Sequence, residues 1–274
     1  MLTYVMALTI SEEENTILTT KPFDKQHKKY GDIHPDLVQP SFSLLLVGPK
    51  GSGKSNLILR LLYGNKKPKG AKNNYHKFYR HFFDKVYVFS PSWKLDPKMD
   101  RCKIPDEQIF EEPALYPSII EELIGTQTDS IEEEGKDDTE HILMIFTDLA
   151  GAKGVFSQAK GVMNKLAFNL RHFKCSLLID TQSLRQINSA FRENLSGIIL
   201  FSGINNRLEI EKIKEEYLGS FQKKEQDQIL DFAFKNPYDF LYINFQKHGL
   251  DKYYRNFNKL IIKKKRHRRE IKYP

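Results

Sequence analysis

The chain has 274 residues, 40% of them hydrophobic and 12% aromatic, which is enough for one large α/β domain with its own core. It contains no run of about 18 apolar residues, so no membrane-spanning helix is expected, and residues 1–15 lack the basic-then-apolar pattern of a secretory signal. Its two cysteines, Cys102 and Cys175, fit no metal-ligand spacing and suit a reduced intracellular protein. The net charge of +8 is unevenly placed: from Asp251 to Pro274, ten Lys or Arg stand against two acids, a net of +8, so the rest of the chain is balanced.

Residues 1–40 are polar and proline-punctuated and are expected to form an N-terminal arm. Phe42 to Val47 is a short apolar run ending in glycine, the pattern of a buried parallel strand. Ser55 to Leu62 places Leu57, Ile58, Leu61 and Leu62 at helical spacing, with Gly64 as a stop. Residues 65–80 are basic and loop-like. Lys85 to Phe89 predicts a second strand, closed by Ser90-Pro91 and followed by irregular chain. Tyr116 to Thr126 predicts a helix. Residues 128–140 hold seven acids and one lysine and predict an exposed loop. Strands are expected at Ile142–Phe146, Cys175–Ile179, Gly197–Phe201 and Phe240–Phe245. Helices are expected at 158–172, 184–193, 205–217 and 222–234.

Short apolar strands alternating with helices predict an α/β fold, a mostly parallel central sheet with helices on both faces. The domain is expected over residues 41–250, with 251–274 as a basic C-terminal tail. The stretch Lys263-Lys264-Lys265-Arg266-His267-Arg268-Arg269, with Tyr253, Tyr254 and Phe257 ahead of it, suits a nucleic-acid contact, a localisation signal or a solvated end.

Gly48-Pro49-Lys50-Gly51-Ser52-Gly53-Lys54-Ser55 matches the G-x-x-x-x-G-K-S pattern, and it follows a predicted strand and opens a predicted helix. The glycines let backbone N–H groups turn toward phosphate oxygens, and the helix N-terminus adds partial positive charge. Lys54 would reach the β- and γ-phosphates of ATP or GTP, and Ser55 would place its hydroxyl on Mg²⁺. Asp148 follows the strand Ile142–Phe146 and Thr147. An acid there can hold Mg²⁺ or orient the attacking water, or it can cap a later helix. Leu177-Leu178-Ile179-Asp180-Thr181-Gln182-Ser183 is another strand running into polar groups. Asp180 is a second candidate acid. Gln182 can contact the γ-phosphate or the attacking water, or can cap the helix expected from Leu184. Arg192 is a candidate for the γ-phosphate of a neighbouring subunit or for an ion pair with an acid of its own chain.

The segments GPKGSGKS (48–55), VYVFSPS (86–92), ILMIFTDLAG (142–151) and CSLLIDTQSLRQINSAFREN (175–194), in this order, resemble the poxvirus-type genome-packaging ATPases of large eukaryotic DNA viruses, virophages and Polinton-like elements, within the FtsK/HerA superfamily. The resemblance covers roughly residues 42–217. It implies a RecA-like P-loop core with an extra strand between the P-loop strand and the Walker B strand. It also implies ATP and Mg²⁺ as cofactors, and a homo-oligomeric ring, hexamer or pentamer, that moves double-stranded DNA without regard to sequence into a preformed capsid. A capsid or portal-vertex protein would be the partner, and the viral assembly site in host cytoplasm or nucleus, or the virion, the location. By the same resemblance Lys54 and Ser55 are Walker A residues, Gln182 is the polar sensor and Arg192 matches the arginine finger. One departure stands out: where the family usually ends its Walker B strand with two adjacent acids, this chain has Thr147-Asp148, so Asp148 keeps the water-activating place and Thr147 replaces the metal-side acid with a hydroxyl able to hold a metal-bound water. That departure leaves a nucleotide-binding switch or scaffold with slow or no hydrolysis as the competing expectation.

Overall fold

A computed structural model describes residues 6–13, 33–64, 78–148, 155, 156 and 161–266. In chain order its strands are β1 (Met6–Glu13), β2 (Ser43–Val47), β3 (Lys85–Phe89), β4 (Ile109–Phe110), β5 (Ile142–Phe146), β6 (Cys175–Thr181), β7 (Gly197–Phe201), β8 (Phe240–Asn244), β9 (Tyr253–Arg255) and β10 (Asn258–Arg266). The helices are α1 (Lys54–Tyr63), α2 (Tyr116–Glu134), α3 (Val162–Asn169), α4 (Ser189–Arg192), α5 (Arg207–Tyr217) and α6 (Lys223–Ala233).

Among the described residues all strands join one sheet, in the order β1-β10-β9-β8-β7-β2-β6-β5-β3-β4. From β4 to β7 every pair is parallel, and from β7 to β1 every pair is antiparallel. The expected mostly parallel centre is present, and β6 lies between the P-loop strand β2 and β5, as the resemblance implied. The continuous apolar runs are explained by burial on both faces: all residues of β2, β5, β6 and β7 are buried. Alternate residues feed two cores. Leu44 and Leu46 pack with Leu57, Ile58 and Leu61 of α1 on one face. Leu45 and Val47 join Leu166, Ile213 and Ile229 of α3, α5 and α6 on the other. Each such fully buried side chain contributes about 2 kcal/mol.

The C-terminal expectation needs correction. Residues 253–266 are not a tail but the strands β9 and β10, which extend the sheet. Tyr253, Tyr254 and Phe257 are buried in the core and present no aromatic face to a ligand. The hairpin turns on Asn256 and Phe257, with φ of 51° and 70°. Two left-handed residues make the turn twist with its strands, a position usually taken by Asn-Gly. Here Phe257 is held in that conformation by packing on Phe240 and Tyr242. Residues 267–274 lie outside the described set.

The N-terminal arm is also partly built in. Met6–Glu13 pairs with β10 along its whole length. Leu37 and Val38 are buried, and the Asp36 carbonyl accepts from Tyr242 Oη at 3.0 Å and Asn244 Nδ2 at 2.9 Å. The acidic stretch 128–140 is not all loop: α2 runs on to Glu134, because Ile120, Ile124 and Gln127 keep a buried stripe against the core, and Gly135 (φ 85°) ends it. The helix expected at 184–193 is split into a single 3₁₀ turn, Leu184–Gln186, and α4, with Asn188 accepting from Phe191 N at 2.9 Å to start the second piece. The basic residues 65–77, the start of the helix expected at 158 and the Leu149-Ala150-Gly151 end of the Walker B motif lie outside the described residues.

Candidate active site

At the C-terminal end of β2 the chain enters the loop 48–53 and then α1, whose first residue is Lys54. Gly51 and Gly53 take φ of 81° and 102°, which only glycine adopts without strain. Gly48 is required for a different reason. A Cβ there would meet Ser52 Oγ at 2.6 Å and Phe201 Cβ at 2.8 Å. These turns wrap the backbone of Pro49, Lys50 and Ser52 around the N-terminus of α1, where N–H groups and the helix dipole favour an anion. Ser52 Oγ is buried and has no hydrogen-bond partner among the described residues, an orphan that a phosphate oxygen would satisfy.

The loop borders a cleft of about 540 Å³. Lys54, Ser55, Thr147, Asp148, Asp180 and Gln182, which come from three separate stretches of sequence, all line it. Ends of adjacent parallel strands converge there, the usual place for a ligand on such a sheet. Lys54 is 9% exposed. Its Nζ donates to the carbonyls of Gly48 at 2.7 Å and Pro49 at 3.2 Å, bridging its own loop. Burial lowers its pKa, and the carboxylates of Asp180 and Asp148 work against that shift. Asp180 is pushed up to about 6, chiefly by burial, with Lys54 and the Asp148 N–H pulling it back down. Asp148 sits in the left-handed region at φ 53°, its backbone N–H donating to Asp180 Oδ1 at 3.1 Å. A strained aspartate at a strand end is a common mark of a working site.

Gln182 is exposed to the cleft, and Ser183, not Gln182, caps the turn that follows, its Oγ accepting from Arg185 N at 3.2 Å. Glu209 of α5, 4% exposed, holds this loop: it accepts from Ser183 Oγ at 2.9 Å and from Leu184 N at 2.5 Å. Arg192 is the expected site residue that the structure does not bring to the cleft. It is 6% exposed and points away, into Glu216 and the carbonyls of Leu184 and Ile187. The expected alternative, an ion pair with an acid of its own chain, holds, and the partner is Glu216 of α5.

Sequence reading missed part of the cleft wall. Trp93, Asp96, Lys98 and Met99, which follow β3, and Tyr238, which precedes β8, all line it. Position at the end of a parallel strand was the one available signal for the first group. Tyr238 gave none; it is 68% exposed at φ 68° and is brought to Gly53 by the antiparallel strand β8.

The residues present fit a nucleotide with Mg²⁺. Among the described residues no three His, Cys, Asp or Glu cluster to hold a metal unaided. Mg²⁺ needs no such cage, because it takes one or two carboxylates plus the substrate's phosphates.

No family model matches the sequence, and no curated protein matches it. Solved structures do. The DNA-packaging ATPase B204 from Sulfolobus Turreted Icosahedral Virus superposes with a TM-score of 0.51 at 14% identity, over 83% of this chain and 99% of that one. The genome packaging NTPase B204 from Sulfolobus turreted icosahedral virus 2, in complex with AMP, gives a TM-score of 0.51 at 13% identity, over 82% and 97%. With the P-loop, its flanking strands and the inserted β6 in place, this chain has the P-loop fold of the viral genome-packaging ATPases.

Proposed function

We propose that the protein is a Mg²⁺-dependent ATPase that drives double-stranded DNA into a viral capsid as a homo-oligomeric ring docked on a capsid or portal-vertex protein. The observation that carries the ATPase reading is the Lys54 ammonium, seated at the start of α1 and facing the carboxylates of Asp148 and Asp180 across one cleft. Lys54 and the loop N–H groups bind and orient the triphosphate. Ser55, in the first turn of α1, offers its hydroxyl to the metal side. Asp148 accepts the proton of the attacking water on its carboxylate, and Gln182 orients that water. Bound Mg²⁺ would neutralise charge on the phosphates.

The likeness to B204 packaging ATPases over nearly their whole length, together with the T-Q-S segment Thr181-Gln182-Ser183 at the end of β6, supports DNA as the cargo. Among the described residues no helix is long and apolar enough to cross a membrane. Steady-state ATP turnover measured with and without duplex DNA tests the proposal. Turnover stimulated by unrelated duplexes supports it. Tight ATP binding without turnover would favour the switch reading that Thr147 motivates.

A further inference from the structure

Thr147 leaves the end of β5 without a metal-side carboxylate, and the fold places one beside it. β5 and β6 run parallel with Ile145 opposite Leu178 and Phe146 opposite Ile179, a register that carries Thr147 opposite Asp180. Residues paired on neighbouring strands, about 4.8 Å apart, project to the same face. That face is the one α1 covers: Ile145, Leu178 and Leu46 pack with Leu57, Ile58 and Leu61. Leu46 is itself paired with Asp180. Asp180 therefore stands between the P-loop strand and the Walker B strand, on the side of the sheet from which Lys54 and Ser55 enter the cleft. Asp148, one residue beyond Thr147, has the opposite parity, and its left-handed backbone tethers it to Asp180 through the N–H contact. Asp180 is 7% exposed, and the ammonium of Lys54 acts on it electrostatically. The buried Ser52 Oγ, without a partner among the described residues, lines the same cleft and marks it as a place for a polar ligand.

We propose that Asp180 supplies the metal-side carboxylate in place of the acid missing at Thr147, so that the two acids of this site come from neighbouring strands instead of consecutive residues. The proposal rests on the nucleotide-hydrolysis reading above. It explains how the chain keeps a charged oxygen ligand for Mg²⁺, a hard cation that a hydroxyl alone serves poorly. It also assigns Asp148 and Asp180 different duties, with the water's proton going to Asp148.

The test is calorimetric binding of a non-hydrolysable ATP analogue to the full chain, in EDTA and across a Mg²⁺ titration. Wild type, Asp180→Asn and the double variant Asp180→Asn/Thr147→Asp are compared. In wild type, Mg²⁺ should tighten binding by about tenfold or more, the scale on which metal-site partners act. Asp180→Asn should lose most of that gain while binding in EDTA stays equal or tighter, because a buried negative charge near the phosphates is gone. Returning the acid to β5 in the double variant should restore the gain. An Asp180→Asn protein with the wild-type response to Mg²⁺ would overturn the proposal. So would a loss of the gain that Thr147→Asp does not restore. If the single variant does not fold, the double variant decides by the same criterion. A wild-type protein that binds no analogue with or without Mg²⁺ would overturn the nucleotide reading itself, and this inference with it.

Discussion

Arg192 and Glu216 meet through two hydrogen bonds, Nε to Oε2 at 2.9 Å and Nη2 to Oε1 at 2.7 Å, and this fork locks the end of α4 to α5. Burial opposes the charge on Arg192, and Glu216 together with Tyr217 more than offsets it, raising the guanidinium pKa. With its remaining nitrogen committed to the Leu184 and Ile187 carbonyls, this arginine supports the loop behind Gln182. Glu216→Ala should therefore cost about 2 kcal/mol, below the range for a fully buried pair because Glu216 is 30% exposed. Thermal unfolding should fall by about 4–8 °C. Mixing Arg192→Ala with Lys54→Ala subunits should give no rescue of ATPase activity. Rescue at mixed interfaces would show that Arg192 leaves Glu216 to act on a neighbour.

Lys54→Ala should abolish turnover, lowering kcat by about 100-fold or more. The fold should survive, because among the described residues Lys54 bonds to carbonyls of its own loop. Circular dichroism and a melting temperature close to wild type, alongside near-normal turnover, would sink the enzyme reading.

Asp148→Asn should bind the ATP analogue as wild type does and lose about 100-fold or more in kcat, the usual worth of a proton acceptor. Single-turnover measurements separate the two effects. Normal chemistry in Asp148→Asn would transfer the proton-accepting role away from this residue.

Glu209 is not part of the cleft wall, yet it holds Ser183 and Leu184, the residues just after Gln182. Glu209→Ala should lower kcat by about tenfold through misplacement of Gln182, while KM stays within about twofold. Glu209→Gln, which keeps one acceptor oxygen, should recover part of the loss. A parallel fall in stability and KM with no recovery would mark a merely structural contact.

The basic end calls for a different truncation from one based on a free tail. Removing residues from 263 onward would strip the Met6–Thr9 half of β1 of its pairing partners, so a binding defect would be confounded with damage to the sheet. Deleting residues 267–274 leaves β10 whole and removes Arg268, Arg269 and Lys272. If all three meet phosphates, the slope of log K against log salt should fall by roughly three, at about 0.9 per contact, and equally for unrelated duplexes. An unchanged slope would assign this end to localisation or to capsid docking.

Much of the cleft was legible one segment at a time. The P-loop is a local device: its glycines answer backbone requirements that neighbouring residues impose, so its pattern survives in the linear sequence. Asp148, Asp180 and Gln182 could be picked out because each stands at or just past the end of a fully buried strand, and strands of that kind end where a parallel sheet binds its ligand. The wall made by Trp93 and Tyr238 was less visible, since an irregular segment and a residue ahead of an antiparallel strand carry no periodic mark.

The sequence by itself determined the parallel α/β core, the phosphate loop and the set of acids available to it, because burial on both faces writes continuous apolar runs and tight turns demand glycine. Tertiary structure alone decided three things. Tyr253 to Arg266 became strands because packing of Phe257 on β8 stabilises the Asn256–Phe257 turn where the usual glycine is missing. Arg192 became a buried brace because Glu216, 24 positions away, is brought beside it by α5. And Thr147 gained a carboxylate neighbour because the register of β5 on β6 sets Asp180 across from it, a pairing between residues 33 positions apart that no local pattern encodes.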